Sequence, residues 1–309
     1  MSGEVKKISI VVPVYNSATV LNELADAIDK CFATLNLSYQ LVLVDDCSKD
    51  NSWQVIKDIK AHNPTKVTAI RMAKNFSQHN AIFCGFHYCT GDLILTIDDD
   101  LQHPVEEISK LIQCQAETDA DIVYGVSKQY KRSLVRNFFS KGYKISAKFT
   151  APDYTAGSSF RLIKSNLVKK IITHNQQFVF IDELISWYTT SIKHILVVHN
   201  PSKLKASRYS GAQLAKLYWD LVFGYNAVLL KMITYLGLSS SFISFVVGIF
   251  FIIKKLFFHT RIGFTGIVVS VTFTGGIILL SIGIIGEYMR RMYNILNERP
   301  QYSIREILE

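Results

Sequence analysis

Two uncharged stretches near the carboxyl end constrain this chain more than any other feature. Met232–Ile253 runs for 22 residues between Lys231 and Lys254, and Ile262–Gly286 for 25 between Arg261 and Glu287. About 20 apolar residues carry a helix across the hydrocarbon of a bilayer, and uncharged runs this long exceed ordinary core helices. Only eight residues, Lys254–Arg261, join the two. The expectation is a transmembrane hairpin over 232–287, with spans at 232–253 and 262–286. A hairpin returns the chain to its starting side, so residues 1–210 and a tail over 288–309 share one compartment. Arg290, Arg291, Arg299 and Arg305 place that compartment in the cytoplasm. Met1–Lys7 has no apolar core of a secretory signal.

Composition narrows the rest. Hydrophobic residues make up 49% and charged residues 19%, which excludes a disordered chain. The net charge of +9 suits nucleic acid, an anionic membrane face or a phosphorylated substrate. The five cysteines form no C-x-x-C pair, so neither a zinc site nor a disulfide framework is expected.

The first 125 residues alternate apolar strands with helical patterns. Strands are expected at Ile8–Val14, Tyr39–Asp45, Lys66–Ile70, Asp92–Ile97 and Asp121–Gly125. Helices are expected at 18–33, 51–62, 78–88 and 106–116. That alternation predicts an α/β fold with a mostly parallel sheet covered on both faces. Ligands of such sheets bind beyond the carboxyl ends of the strands. Three strands here end in polar groups: Tyr15-Asn16-Ser17, Asp45-Asp46 and Asp98-Asp99-Asp100. Three adjacent carboxylates repel one another unless a cation or hydrogen bonds offset them. Hard oxygen donors of this kind suit Mg²⁺ or Mn²⁺, with phosphates completing the shell. Neither a Walker-type loop nor G-x-G-x-x-G occurs, so a metal-clamped diphosphate is expected rather than a glycine-rich phosphate cradle.

The stretches Ile10-Val-Val-Pro-Val-Tyr-Asn16, Val44-Asp-Asp-Cys-Ser48, Asn75-Phe-Ser-Gln-His-Asn-Ala81 and Thr96-Ile-Asp-Asp-Asp-Leu-Gln102 together resemble glycosyltransferase family 2, whose members have the Rossmann-like GT-A fold. Leu236-Gly237, Gly283-Ile-Ile-Gly-Glu-Tyr288 and Glu298-Arg-Pro-Gln-Tyr302 extend the resemblance to bacterial two-helix polyprenyl-phosphate sugar transferases, relatives of dolichyl-phosphate mannose synthase. The resemblance implies a nucleotide-sugar donor, a UDP-hexose, and a polyprenyl phosphate acceptor at the bacterial inner membrane. It also implies a multi-pass enzyme with its catalytic domain in the cytoplasm and an inverting transfer serving cell-envelope glycans. Pro13, Tyr15, Asp46, Asp98, Asp99 and Arg208 then fall at nucleotide-sugar positions, and Asp98, Asp100 and Gln102 at the metal. Asp98, Asp100 and Arg161 are the expected catalytic residues. Asp182 is a candidate general base, with a structural role as its alternative. Ser17 and Lys205-Ala-Ser-Arg-Tyr209 depart from the usual family pattern.

Between Lys128 and Lys148 seven basic residues and no acid interleave with Phe138, Phe139, Ile145 and Phe149. This reads as a basic interfacial helix over 128–149 on an anionic leaflet, with Arg132, Arg136, Lys141 and Lys144 drawing in lipid phosphate. Beside a membrane hairpin, lipid phosphate is the expected partner of such a patch and nucleic acid is not. Residues 211–231 read as a second amphipathic helix leading to the bilayer. Gly275, Gly276, Gly283 and Gly286 permit close helix packing and hence a homo-oligomer. A processive polysaccharide synthase is disfavoured, because no Trp follows an Arg and only two spans are expected. A catalytically inert membrane scaffold is disfavoured by the intact acidic motifs.

Overall fold

The computed structural model describes residues 7–127, 158–174, 180–201, 228–258, 264–297 and 300–309. The chain divides into two compact units. The first contains one eight-stranded sheet, ordered β7-β5-β6-β4-β1-β2-β3-β8. Its central strands are β1 (Lys7–Val14), β2 (Ser38–Asp45), β3 (Val67–Met72) and β4 (Leu93–Thr96). Pairs β1–β2, β1–β4 and β2–β3 are parallel. These strands are apolar on both faces because helices cover both. α1 (Leu21–Leu35), α2 (Ser52–His62), α3 (Gln78–Phe86) and α4 (Ile108–Thr118) supply that cover. Ile8, Ile10, Val12, Leu41, Leu43, Phe32 and Ile56 form the heart of the core.

The helix α3 packs very close to the sheet. A Cβ added at Gly85 would lie 2.5 Å from Val11 Cγ1 and 3.2 Å from Val44 Cγ2, so glycine at that position lets the helix approach.

Beyond β4 the parallel order breaks. β5 (Ile122–Val126) and β4 are bridged by β6 (Arg161–Lys164), which runs antiparallel to both. α5 (Ser165–Ile171) and α6 (Ile181–Tyr188) follow, and β7 (Ile192–Leu196) closes that edge parallel to β5. The opposite edge is closed from the far end of the chain. β8 (Ile304–Leu308) pairs antiparallel with β3, with a register irregularity at Arg71/Met72. The tail is therefore part of the sheet, which no alternating pattern in five residues announces.

The second unit holds two long helices, α7 (Val228–Phe258) and α8 (Phe264–Leu296). Both outrun their uncharged stretches and take in Lys231, Lys254 and Lys255, or Glu287, Arg290 and Arg291. Among the described residues one segment, Phe273–Arg290, is long and apolar enough to cross a membrane, and Ile233–Val247 is a shorter apolar stretch. Phe245, Phe250, Val271, Phe273, Leu279 and Leu280 are exposed. A Cβ at Gly275, Gly276, Gly283 or Gly286 would meet nothing within 4 Å. The expected interfacial helices over 128–149 and 211–231, with Arg132, Arg136, Lys141, Lys144 and Arg208, lie outside the described residues, apart from the last turn of the second, which is the start of α7.

Candidate active site

The carboxyl ends of β4, β1, β2 and β3 lie side by side, so the three polar motifs meet along one rim. The rim is knitted by side-chain to backbone bonds. Asn16 N–H donates to Ser48 Oγ at 2.9 Å, and Asn16 Oδ1 accepts from Lys49 N–H at 2.8 Å. Ser17 N–H donates to Ser52 Oγ at 2.9 Å. Four residues at these ends have positive φ without being glycine: Asn16 (53°), Cys47 (59°), Ser77 (82°) and Leu101 (57°). Side chains disfavour that region by about 1–2 kcal/mol per residue, and such strain clusters where function over-determines the backbone.

At the β2–β3 corner Asp46 is buried. Its Oδ1 accepts from Phe76 N–H at 2.6 Å and its Oδ2 from Ser77 N–H at 2.9 Å, just before α3. Burial pushes its carboxyl up to about 7, against the pull of the two amides, with Asp45 adding to the rise. Pro13 is buried beside it in β1, and Tyr15 is half-buried at the rim.

At the β4–β6 corner the three aspartates face different surroundings. Asp99 is fully buried, accepting from Tyr15 N–H at 3.2 Å and Ser17 Oγ at 2.5 Å. It joins the ends of β1 and β4. Asp98 is partly exposed, and its two oxygens accept from Gln78 Nε2 and Ser159 Oγ, each at 2.6 Å. Asp100 Oδ1 accepts from Gln102 N–H at 3.1 Å across the left-handed turn at Leu101. The Gln102 carbonyl accepts from Asn200 N–H at 2.8 Å, fastening the segment after β7 to this motif.

Arg161, expected among the catalytic residues, is 1% exposed and turns its side chain into the core. Its Nε donates to Thr96 Oγ1 at 3.1 Å, and its guanidinium pairs with Asp182. Thr96 Oγ1 donates to the Ser159 carbonyl at 2.5 Å, and Ser159 holds Asp98. One chain thus runs Asp182, Arg161, Thr96, Ser159, Asp98, buried at Arg161 and Thr96. Tyr124 O–H donates to the same Asp182 oxygen at 2.9 Å. Both donors hold the carboxylate as an acceptor, which favours the structural alternative for Asp182. Beside them, burial lowers the His79 imidazole to about 4, so it is neutral at pH 7. Its ring packs 4.7 Å from that of Phe180, and its Nδ1 is buried without a hydrogen-bond partner.

Sequence patterns alone do not single out Gln78, Ser159, Thr96 or Tyr124. Gln78 sits inside a stretch that carries the family resemblance, but the pairings of Gln78 and Ser159 with Asp98 span 20 and 61 positions. No local pattern reveals such a pairing.

The donor set fits a divalent metal. Asp98, Asp100 and Gln102 offer hard side-chain oxygens, and Gln78 and Ser159 orient the Asp98 carboxylate. A carboxylate has about four lone-pair sites, so these two hydrogen bonds are compatible with a bound metal. Among the described residues no group of three or more His, Cys, Asp and Glu forms a complete cage.

A mostly parallel α/β sheet with a strained, acidic rim of hard oxygens at its strand ends is the architecture in which such folds bind ligands. The class is sharper still: the chain belongs to glycosyl transferase family 2, whose model matches residues 9–174, and it is a glycosyltransferase. It is 30% identical over 311 residues to the undecaprenyl-phosphate 4-deoxy-4-formamido-L-arabinose transferase of Klebsiella pneumoniae (strain 342), covering 98% of this chain and 94% of that protein. The protein of the same description from Shewanella sediminis is 32% identical over 308 residues, covering 97% and 92%. Among solved structures, a Pyrobaculum calidifontis mannosyltransferase in complex with GDP-Man and Mn²⁺ overlaps with a TM-score of 0.49 at 16% identity. That overlap covers 72% of this chain and 64% of that one, slightly under two thirds. Mycobacterium tuberculosis glucosyl-3-phosphoglycerate synthase, solved with Mn²⁺, UDP and its product, gives 0.49 at 14%, covering 71% and 78%.

Proposed function

We propose that this protein is a membrane-anchored inverting glycosyltransferase that moves one sugar from a nucleotide-sugar, a UDP-hexose, to undecaprenyl phosphate. The observation that carries this reading is the end-to-end likeness to undecaprenyl-phosphate sugar transferases, which runs through the two long helices as well as the sheet. The product is a lipid-linked sugar for cell-envelope glycans.

The chemistry follows from the rim. A phosphate monoester has a second pKa of about 6 and is largely ionised at neutral pH. Its oxygen attacks the anomeric carbon, and the bond from that carbon to the diphosphate oxygen breaks. The electron pair leaves with the nucleoside diphosphate, and a phosphodiester with inverted configuration remains. No proton has to be removed from the acceptor, in accord with an Asp182 tied to Arg161 and Tyr124. A bound Mg²⁺ or Mn²⁺ would neutralise the departing diphosphate, held by Asp98, Asp100 and Gln102. Pro13, Tyr15 and the loop fastened by Asp46 form the nucleoside corner, and Arg208 is assigned to the phosphates on the family resemblance alone. Arg132, Arg136, Lys141 and Lys144 hold the lipid phosphate, at about 1 kcal/mol per basic side chain on an anionic leaflet.

The two-span hairpin gains support from β8. It lies in the same sheet as β1–β7, which favours an even number of crossings in the chain between them. The exposed apolar faces and open glycines of α7 and α8 favour packing against further copies of the chain.

The test is purified protein in detergent with undecaprenyl phosphate, Mn²⁺ and a panel of UDP- and GDP-sugars, including the formamido-arabinose donor. The expected result is a lipid-linked monosaccharide by mass spectrometry, with release of UDP. EDTA abolishes it and Mn²⁺ restores it. Transfer only to a growing glycan, or no transfer from any donor, defeats the proposal. Turnover unaffected by EDTA defeats the metal assignment.

A further inference from the structure

The tail that closes the sheet touches both arms of the loop that Asp46 holds. On one side the Ser303 carbonyl accepts from Ala73 N–H at 2.8 Å, where β3 becomes the loop. On the other, the Tyr302 ring lies 6.4 Å from Phe83 and 5.7 Å from His87, along and just beyond α3. Between these arms are Phe76 and Ser77, whose amides grip Asp46.

A second line of contact leads from β8 to Asp45, the neighbour of Asp46. Register places Glu306 opposite Arg71 across the β3–β8 pair, as an opposite-charge pair. Glu306 Oε2 accepts from Trp53 Nε1 at 3.2 Å. The Arg71 guanidinium lies 5.7 Å from the centre of the Trp53 ring. Arg71 Nε then reaches 3.4 Å from Asp45 Oδ2. That oxygen is fully buried and makes no hydrogen bond, so Arg71 is the charge that compensates it. Removing one member of a buried ion pair leaves the other uncompensated. Without β8, β3 would be a bare edge strand, and Arg71 would lose Glu306, while the Trp53 ring of α2 would lose the acceptor that orients it.

We infer that the C-terminal strand is a positioning element of the nucleotide corner. Through Ser303 it anchors the loop that meets Asp46, and through Glu306, Trp53 and Arg71 it holds Asp45. The inference rests on the reading that this corner takes the nucleoside of the donor. Neither Arg71 nor Glu306 touches substrate; each acts through the aspartates.

The test measures binding of UDP and of GDP to full-length protein by calorimetry, alongside donor KM, kcat and melting temperature. Arg71→Met is expected to weaken nucleotide binding about tenfold, a change of about 1.4 kcal/mol. Arg71→Lys should recover part of that loss, because it restores charge without the planar fork. Glu306 is exposed, so Glu306→Ala should fold and weaken binding about threefold, about 0.6 kcal/mol. In each, KM rises while kcat at saturating donor stays within about twofold. Leu308→Ala serves as the control, since Leu308 packs against the core from the same strand. It should lower the melting temperature and leave nucleotide affinity unchanged. Wild-type affinity in Arg71→Met and Glu306→Ala overturns the inference. So does a Leu308→Ala affinity loss that scales with its loss of stability. A wild-type protein that binds neither UDP nor GDP overturns the nucleotide reading, and this inference with it.

Discussion

Two corners of one rim hold their key carboxylates in different ways. At the β2–β3 corner Asp46 is gripped by two consecutive backbone amides, Phe76 and Ser77, from a single turn. At the β4–β6 corner Asp98 is held by two side chains from separate elements, Gln78 and Ser159. Backbone amides are fixed by the fold, so Asp46 is locked and buried. Side-chain donors can rotate, so Asp98 stays partly exposed and able to trade partners as charge arrives. On the proposed function, the rim pairs a backbone-held corner for recognition with a side-chain-held corner for the chemistry. Both depend on α3, because its start supplies Gln78 and the turn before it supplies the amides.

The sharpest way to break this comparison is to neutralise one carboxylate at each corner. Asp98→Asn should lower kcat by about a thousandfold, the scale of removing a preorganised electrostatic group. Asp46→Asn should mainly raise donor KM. Steady-state kinetics of the purified pair measures both, and equal kcat losses would erase the distinction.

Next in size is the buried chain behind Asp98. Asp182→Ala leaves the Arg161 charge unpaired in the core and should cost about 3–5 kcal/mol of stability, read by urea denaturation. Asp182→Asn keeps an acceptor for Tyr124 and should cost less. A full loss of kcat in Asp182→Asn at wild-type stability would make it the general base.

A smaller effect is expected at Gly85, beneath both corners. Gly85→Ala forces a methyl group against Val11 and Val44 and should destabilise by about 1–3 kcal/mol through overpacking. Because α3 would shift as a body, donor KM and kcat should worsen together. A change in only one would show that the corners respond independently.

The mildest test is pH. Burial raises the folded-state carboxyl of Asp46 from 3.8 to about 7. The native state therefore retains a proton that the unfolded chain has released. The stability this contributes is full below about 3.8 and is lost as pH rises through about 7. Melting temperature should decline across that window and decline less in Asp46→Asn, as a thermal-shift series measures. Asp45, also raised by burial, keeps part of the slope in both proteins.

Residues that act through local pattern are legible in the amino-acid sequence by itself. The apolar runs of β1, β2 and β4, the acidic groups at their ends and the two long uncharged stretches all follow from period, length and charge within short windows. Asp46, Asp98 and Asp100 are legible as neighbours on one rim, because parallel sheets bring carboxyl ends together. Three things required the fold. Asp99 lies between two aspartates of identical composition, and only burial turns it into a joint with Tyr15 and Ser17. Arg161 matches a catalytic position, yet strand β6 drives its side chain into the core, where Asp182 compensates the charge. The tail strand pairs residues more than 230 positions apart, Arg71 with Glu306. Local patterns record which face of an element is apolar. They carry no information on which distant element will bury that face, and buried charges and edge strands are resolved only when the partner arrives.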